Sequence, residues 1–347
     1  MRKAEIPTPA LVVDLGLFEE NVRRMQAEVS RAGKVLRPHA KAHKRVEVAR
    51  RQMEAGAVGV CVATLREMET FVGAGIGVLL TTPVALGKAE RVVEFARGAE
   101  VAVVVDHLRQ VQAYAAAAER AGVPLTVLVD LDIGDHRTGV PCDERAVELA
   151  LAVDAAPSLR FDGLQAYSVS GSHTIGWEGR RAHSTMAIER AVGVQRELLT
   201  RGLDARRLTG GSTGTWDIDV MIPELTEMQA GSYPLMDVAY GRIGGVPFAT
   251  AMHVWATVIS ASQRDRVTVD AGFKAFATDR PFGPEAEGLP GARWQWAGDE
   301  HGFVFCDPLP LLGARIAFVV PHCDPTVNLH QRVYACRGDM VEEVWER

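Results

Sequence analysis

Short, nearly continuous apolar runs alternate with amphipathic stretches through the first two thirds of the chain. The runs are "KVLRPHAK" (34–41), "VGVCVAT" (58–64), "GVLLTTPV" (77–84), "EVAVVVD" (100–106), "PLTVLVDLDIG" (124–134), "FDGLQAYSVS" (161–170), "RLTGGST" (207–213) and "EMQAGSYP" (227–234). Between them lie segments of helical periodicity such as "RVEVARRQMEAGA" and "HLRQVQAYAAAAERAG", several closed by glycine as a helix C-terminus should be. Strands apolar on both faces and separated by helices belong to a parallel sheet covered on both sides. Eight such units in about 220 residues predict an α/β fold, a closed (β/α)8 TIM-like barrel. A single doubly wound domain with an antiparallel extension is the alternative, and the count of eight argues against it.

From about residue 248 the pattern changes. "MHVWATVISASQRDRVTVDAGFKAF" and "ARIAFVVP" show alternation and turn residues with little helical signal, which predicts a second, mainly β domain. The early run "ALVVDLG" would be a ninth barrel strand, so it is assigned to that β domain. The expected division is a barrel over 25–247 and a β domain made of 1–24 and 248–347.

Composition narrows the partners. With 347 residues, 47% hydrophobic and 24% charged, the chain can bury a large core. The formal charge of −6 comes from interspersed signs without a Lys/Arg-rich run, which predicts no nucleic-acid partner and favours a small molecule. The opening "MRKAEIPTPALVVDLG" lacks the apolar core of a secretory leader, and no stretch approaches the roughly 20 apolar residues of a membrane span. A cytoplasmic protein that meets no membrane is expected. The five cysteines are scattered without a CxxC pair, so neither a disulfide framework nor a thiolate zinc site is expected.

In a barrel, chemistry belongs at the C-terminal strand ends, and polar and glycine residues collect there: "RPHAKAHK", "DIGDHRTGV", "QAYSVSGSH", "TGGSTGTW" and "AGSYP". A lysine at a mostly buried strand mouth is a candidate amine for a Schiff base, since desolvation disfavours the ammonium form. Lys41 is that candidate. The loop "TGGSTGTWDID" offers backbone N–H groups and hydroxyls that could hold a phosphate, where barrels commonly do so. A lysine amine with a phosphate cradle suggests pyridoxal phosphate as cofactor. Arg137, at the end of the fifth run, could face the pyridine nitrogen; always protonated, it would keep that nitrogen unprotonated. The segment "VVPHCDPTVNLH" (319–330) is open on composition alone: a metal site, a free thiol or a turn.

Taken together, "RPHAKAHK", "DHRTGV", "FDGLQAYS", "TGGSTGTWDID", "EMQAGSYPLMD", "GDEHG" and "PHCDPTVNLH" resemble the D-threonine aldolase and D-serine dehydratase family, the metal-activated pyridoxal-phosphate enzymes of alanine racemase-like fold. The motifs run nearly the whole length, in the family's order. The resemblance implies Lys41 as the lysine that carries pyridoxal phosphate, Arg137 opposite the ring nitrogen, and Tyr167 beside the ring. It places Thr213, Gly214, Thr215, Ser232 and Tyr233 around the phosphate. It makes His322 and Asp324 ligands of a divalent cation that contacts the substrate's β-hydroxyl. On an extended segment these two side chains would point to one side and Cys323 to the other. Histidine with aspartate is a hard donor set, suited to manganese or magnesium. In this resemblance the aldolase branch carries aspartate at the second ligand position and the dehydratase branch cysteine.

His173 resembles the aldolase's base, which takes a proton from the β-hydroxyl. Ala42 departs from the family's threonine after the lysine. Arg180 and Arg181 either reach the pocket, where an arginine could bind a second carboxylate as in 3-hydroxyaspartate, or begin a solvated helix. The expected function is cleavage of D-3-hydroxy amino acids, D-threonine-like, to glycine and an aldehyde by a lyase acting as a homodimer. The rivals are a D-serine or 3-hydroxy-D-aspartate dehydratase, a 3-hydroxy-D-aspartate aldolase and a non-catalytic pyridoxal-phosphate carrier.

Overall fold

A computed structural model describes residues 1–346. Every one of the eight apolar runs overlaps a strand: Val35–Leu36, Val60–Val62, Val78–Leu80, Val101–Val105, Leu125–Asp132, Leu159–Ala166, Leu208–Gly210 and Glu227–Met228. They pair in parallel in the order first, eighth, seventh and so on down to second. The two ends of this sheet meet through a parallel bridge between His39 and Cys61, with Val58 N–H donating to Leu36 O and Cys61 N–H to Pro38 O, both at 2.9 Å. The sheet therefore closes on itself, and the (β/α)8 barrel predicted from the spacing is present.

The reason lies in the strand composition. All five residues of Val101–Val105 are buried, as a strand sandwiched between barrel interior and helix layer must be. Each such valine contributes about 1.5–3 kcal/mol relative to leaving it in water. The helices between strands start and stop on their own signals. Thr64 accepts from Glu67 N–H while the Glu67 carboxylate accepts from Ala63 N–H at 2.7 Å, a reciprocal N-terminal cap for Leu65–Gly73. Gly122, left-handed at φ 62°, ends Leu108–Ala121.

The chain separates into two compact units, one of 25–41 with 48–231 and one of 1–24, 42–47 and 232–347. Residues 232–247, expected with the barrel, group with the second unit, where Val238 N–H donates to Val320 O (3.0 Å) and Ala251 N–H to Leu235 O (2.9 Å). This unit is built on a sheet with Met252–Ser260 near its centre, antiparallel to Ala10–Asp14 and to Arg315–Val319. Ala10–Asp14 also pairs in parallel with Arg332–Arg337, so the early apolar run is a strand of this sheet and not of the barrel. Among the described residues no helix is long and apolar enough to cross a membrane.

Candidate active site

At the C-terminal ends of the barrel strands lies a cavity of about 110 Å³ whose wall includes Lys41, Arg137, Tyr167, Asp130, Gln165 and Gln229. Three of the residues expected at the site therefore come together. Lys41 Nζ lies 5.5 Å and Arg137 Cζ 5.6 Å from the centroid of the Tyr167 ring. An amine, a permanent cation and an aromatic face in one cavity form a donor set that fits a planar aldehyde cofactor with a basic ring nitrogen.

The loop carrying Arg137 is fixed by carboxylates. Asp132 Oδ1 accepts from Gly134 N–H and His136 N–H, each at 3.0 Å, with His136 in the left-handed region at φ 53°. Beyond the arginine, Asp130 Oδ2 accepts from Thr138 Oγ1 and Asp106 Oδ2 from Gly139 N–H, again at 3.0 Å. Gly139 has φ +96°, and a Cβ there would stand 2.4 Å from Asp132 N, so only glycine allows this return.

Asp130 is the most perturbed carboxyl of the cavity. Burial pushes its pKa up to about 7 against the lowering effect of hydrogen bonds from Gln165 Nε2 (2.7 Å) and Thr138. Gln165 also donates to Thr81 O at 2.9 Å, and Gln229 Nε2 donates to Gln165 Oε1 at 3.2 Å. The sequence reading missed Asp130, Gln165 and Gln229. Their signal was a polar residue near the C-terminal end of an otherwise apolar strand, in "VLVDLD", "GLQAY" and "EMQAG".

The expected phosphate loop is ordered around Asp219, which is fully buried. Its Oδ1 accepts from Ser184 Oγ (2.5 Å), and its Oδ2 accepts from Ser212 N–H (3.3 Å) and Thr215 Oγ1. Burial raises the Asp219 pKa to about 6 despite these bonds. At Gly211, φ +77° would strain any side chain, and a Cβ would lie 2.8 Å from Met228 Cε and 2.9 Å from Asp219 Oδ2. Thr213 and Thr215 are buried beside it. Ser232 and Tyr233 are buried in the second unit, where the Tyr233 ring packs on Phe248 at 5.7 Å.

His173 follows the short helix Val169–Ser172 and is not among the residues lining the cavity. Its loop is nevertheless tied to the cavity wall through Asp135. That carboxylate accepts from Ser170 Oγ (2.5 Å), Ser168 Oγ (3.3 Å), Ser170 N–H (3.4 Å) and Val169 N–H. Arg180 is fully buried, with Nη1 donating to Thr174 O at 3.4 Å, so it does not begin a solvated helix face. Arg181 does: it pairs with Glu178 and lies over Trp177. Neither lines the cavity.

In the second unit, "PHCDPTVNLH" is not the extended segment expected. Cys323–Leu329 is a helix with His322 at its N-cap. Aspartate in the first turn suits the positive helix end, and Pro325 in that turn gives up an N–H that has no helical partner anyway. The two candidate ligands still converge, His322 Nε2 lying 3.6 Å from Asp324 Oδ2. Two neighbouring donors each about 2.1 Å from one octahedral ion would be separated by roughly 3.0 Å, so a small closing of this pair would bring both onto one ion. His322 Nδ1 is occupied by Asp279 Oδ2 at 2.7 Å, a carboxylate behind the imidazole as metal-binding histidines usually have. Among the described residues no group of three or more His, Cys, Asp or Glu gathers that could hold a metal, so the pair would leave most ion positions to water or substrate. Cys323 is buried, its thiol donates to Met236 O at 3.2 Å, and burial raises its pKa well above the usual thiol range. A buried thiol of this kind is a poor nucleophile.

The alanine racemase N-terminal domain family matches residues 13–233, and the serine dehydratase domain family matches 251–336. A D-threonine aldolase from Arthrobacter sp. is 39% identical over 99% of this chain and 92% of its own length. A 3-hydroxy-D-aspartate aldolase from Paracoccus denitrificans is 34% identical with the same coverage. The solved D-threonine aldolase of Filomicrobium marinum superposes with a TM-score of 0.97 at 38% identity, covering 100% of this chain and 96% of that one. A D-threo-3-hydroxyaspartate dehydratase superposes at 0.92 with 28% identity, covering 100% and 99%. It was solved as a cysteine-to-alanine variant in a metal-free form, and also with the histidine two positions earlier replaced. This chain therefore belongs to the alanine racemase-like family that includes the D-threonine aldolases and the D-threo-3-hydroxyaspartate dehydratases, and is a lyase similar to D-threonine aldolase.

Proposed function

We propose that the chain is a pyridoxal-phosphate- and divalent-metal-dependent aldolase that cleaves D-3-hydroxy amino acids of the D-threonine kind into glycine and an aldehyde. When bound, the cofactor supplies an electron sink for the carbanion left at Cα. Lys41 would provide the amine that anchors it, with Arg137 toward its ring nitrogen and Tyr167 beside its ring. Donors of the Thr213–Gly214–Thr215 loop would hold its phosphate, a role the resemblance also gives to Ser232 and Tyr233. His322 and Asp324 would hold manganese, with magnesium as the alternative, and such a cation acidifies a hydroxyl that it contacts. His173 takes the β-hydroxyl proton as the Cα–Cβ bond breaks; the oxygen leaves in the aldehyde and Cα takes a proton to become glycine.

The observation that carries the aldolase reading is the aspartate of the His322–Asp324 pair, with Asp279 behind the imidazole. In the related dehydratase the replaced residue two positions after a histidine is a cysteine. Elimination would need a base on Cα–H and loss of the hydroxyl, whereas retro-aldol cleavage keeps that oxygen and needs a base on it. A substrate with a second carboxylate is disfavoured, since neither Arg180 nor Arg181 is among the residues lining the cavity. The reading includes a homodimer, which light scattering should report as twice 37.6 kDa.

The test is product analysis with D-threonine, D-serine and 3-hydroxy-D-aspartate. Glycine and acetaldehyde are expected from D-threonine, with no reaction of L-threonine. His173→Ala should lose cleavage and keep the yellow colour of bound cofactor. A 2-oxo acid and ammonia as main products, with glycine absent, would move the enzyme to the dehydratase branch.

A further inference from the structure

The motif "RPHAK" contains a second polar residue with no part in the scheme above. His39 is buried in the cavity wall, two residues before Lys41. Its backbone N–H donates to Ala230 O at 3.3 Å, and Gly231 leaves room for it: a Cβ there would stand 2.8 Å from His39 O and 3.0 Å from His39 Cβ. The chain is thus held tightly at this point, just before the 3-10 turn Ala40–Ala42 that carries Lys41.

The side chain is held from both nitrogens. Thr81 Oγ1 donates its one proton to Val62 O at 3.1 Å, so toward His39 Nε2, 3.0 Å away, it can only accept. His39 Nε2 must then carry the proton, which leaves Nδ1 with a lone pair. Nδ1 accepts from Lys41 N–H at 3.3 Å. The other tautomer, or an imidazolium, would set two donors against each other at Lys41 N–H. We infer that His39, as its neutral Nε2–H tautomer, is a positioning residue whose Nδ1 fixes the turn that delivers the Lys41 amine to the cavity. The arrangement is the histidine counterpart of an Asx turn, in which a side-chain acceptor bonds the backbone N–H two residues on. Thr81 acts one step further back, by setting the tautomer.

The inference rests on Lys41 being the cofactor lysine, and the experiment separates the two. Asparagine places an acceptor oxygen where Nδ1 stands, while glutamine places an amide nitrogen where Nε2 stands. Cofactor-free wild type, His39→Asn and His39→Gln are titrated with pyridoxal phosphate by absorbance, and the holoproteins are reduced with borohydride and peptide-mapped. His39→Asn should bind the cofactor close to wild type and label at Lys41. His39→Gln should bind on the order of tenfold more weakly, the loss of one well-placed hydrogen bond. Equal retention by both, with wild type labelled at Lys41, would overturn this inference alone, whereas wild-type label on another lysine would overturn the cofactor reading itself. Should the His39 variants not fold, Thr81→Ser and Thr81→Val decide. Serine should hold the cofactor as wild type does and valine more weakly; equal retention would again overturn the role.

Discussion

A histidine ligand binds an ion through one ring nitrogen, and in this chain Asp279 makes the choice by occupying His322 Nδ1, so that Nε2 faces Asp324. Asp237 fixes the same corner through the backbone: its Oδ2 accepts from Cys323 N–H at 2.8 Å, at the start of the helix. His322→Ala or Asp324→Ala should therefore remove turnover while the bound cofactor keeps its visible absorption. Asp279→Asn should weaken metal affinity by about 10–100-fold, the usual consequence of losing a carboxylate behind a ligating histidine, as read by titration against a chelator. Full turnover by chelator-treated, metal-free enzyme would end the metal reading. At this scale the sequence shows candidate ligands that lie in one motif and hides their supports. His322 and Asp324 are two residues apart, but Asp279 is 43 residues away, and Asp130 meets Gln165 across 35. Such partners are chosen by the closing of the barrel and the second sheet, which no local pattern records.

Elements were legible wherever burial dictated the pattern. The barrel strands showed as apolar runs because both faces are covered, and Ala10–Asp14 betrayed itself as one strand too many for the barrel. The element misread was Cys323–Leu329, read as extended chain although its proline is tolerated in a helix's first turn. Also invisible was how closely neighbouring strands approach. At Gly210, the last residue of the seventh strand, a Cβ would lie 1.9 Å from Ala166 O of the sixth. Nothing but a backbone shift could relieve that, and the shift would carry the Gly211–Thr215 loop with it. Gly210→Ala should cost about 1–3 kcal/mol in denaturant unfolding and weaken cofactor binding together. A variant as stable as wild type, with unchanged affinity, would show that the two strands separate without cost.

For the whole molecule, buried carboxyls link stability to pH, and the signs differ between sites. Asp130 titrates at about 7 in the folded protein because burial disfavours its charge, against an ordinary value near 4 when unfolded. The native state thus holds a proton that the unfolded chain has lost. The stability tied to that proton is complete below about pH 4 and is lost as pH rises through about 7. Asp219, at about 6, acts in the same direction. Glu227 acts oppositely: burial raises its pKa, but Arg37 and Arg207 outweigh that and hold it below the ordinary value, so its stabilisation is lost in acid. His253 and His330, both lowered mainly by burial, also lose stabilisation as pH falls below about 6.5. The absolute pH profile mixes these contributions, so the informative quantity is the difference between Asp130→Asn and wild type. Asparagine keeps an acceptor for Gln165 but has no charge to bury. In protein stripped of cofactor, the stability of Asp130→Asn relative to wild type should rise between about pH 4 and pH 8, by an amount on the order of a few kcal/mol. Urea unfolding at pH 5 and pH 8 measures it. A pH-independent difference would mean that Asp130 is ionised in the folded protein throughout, held so by Arg137.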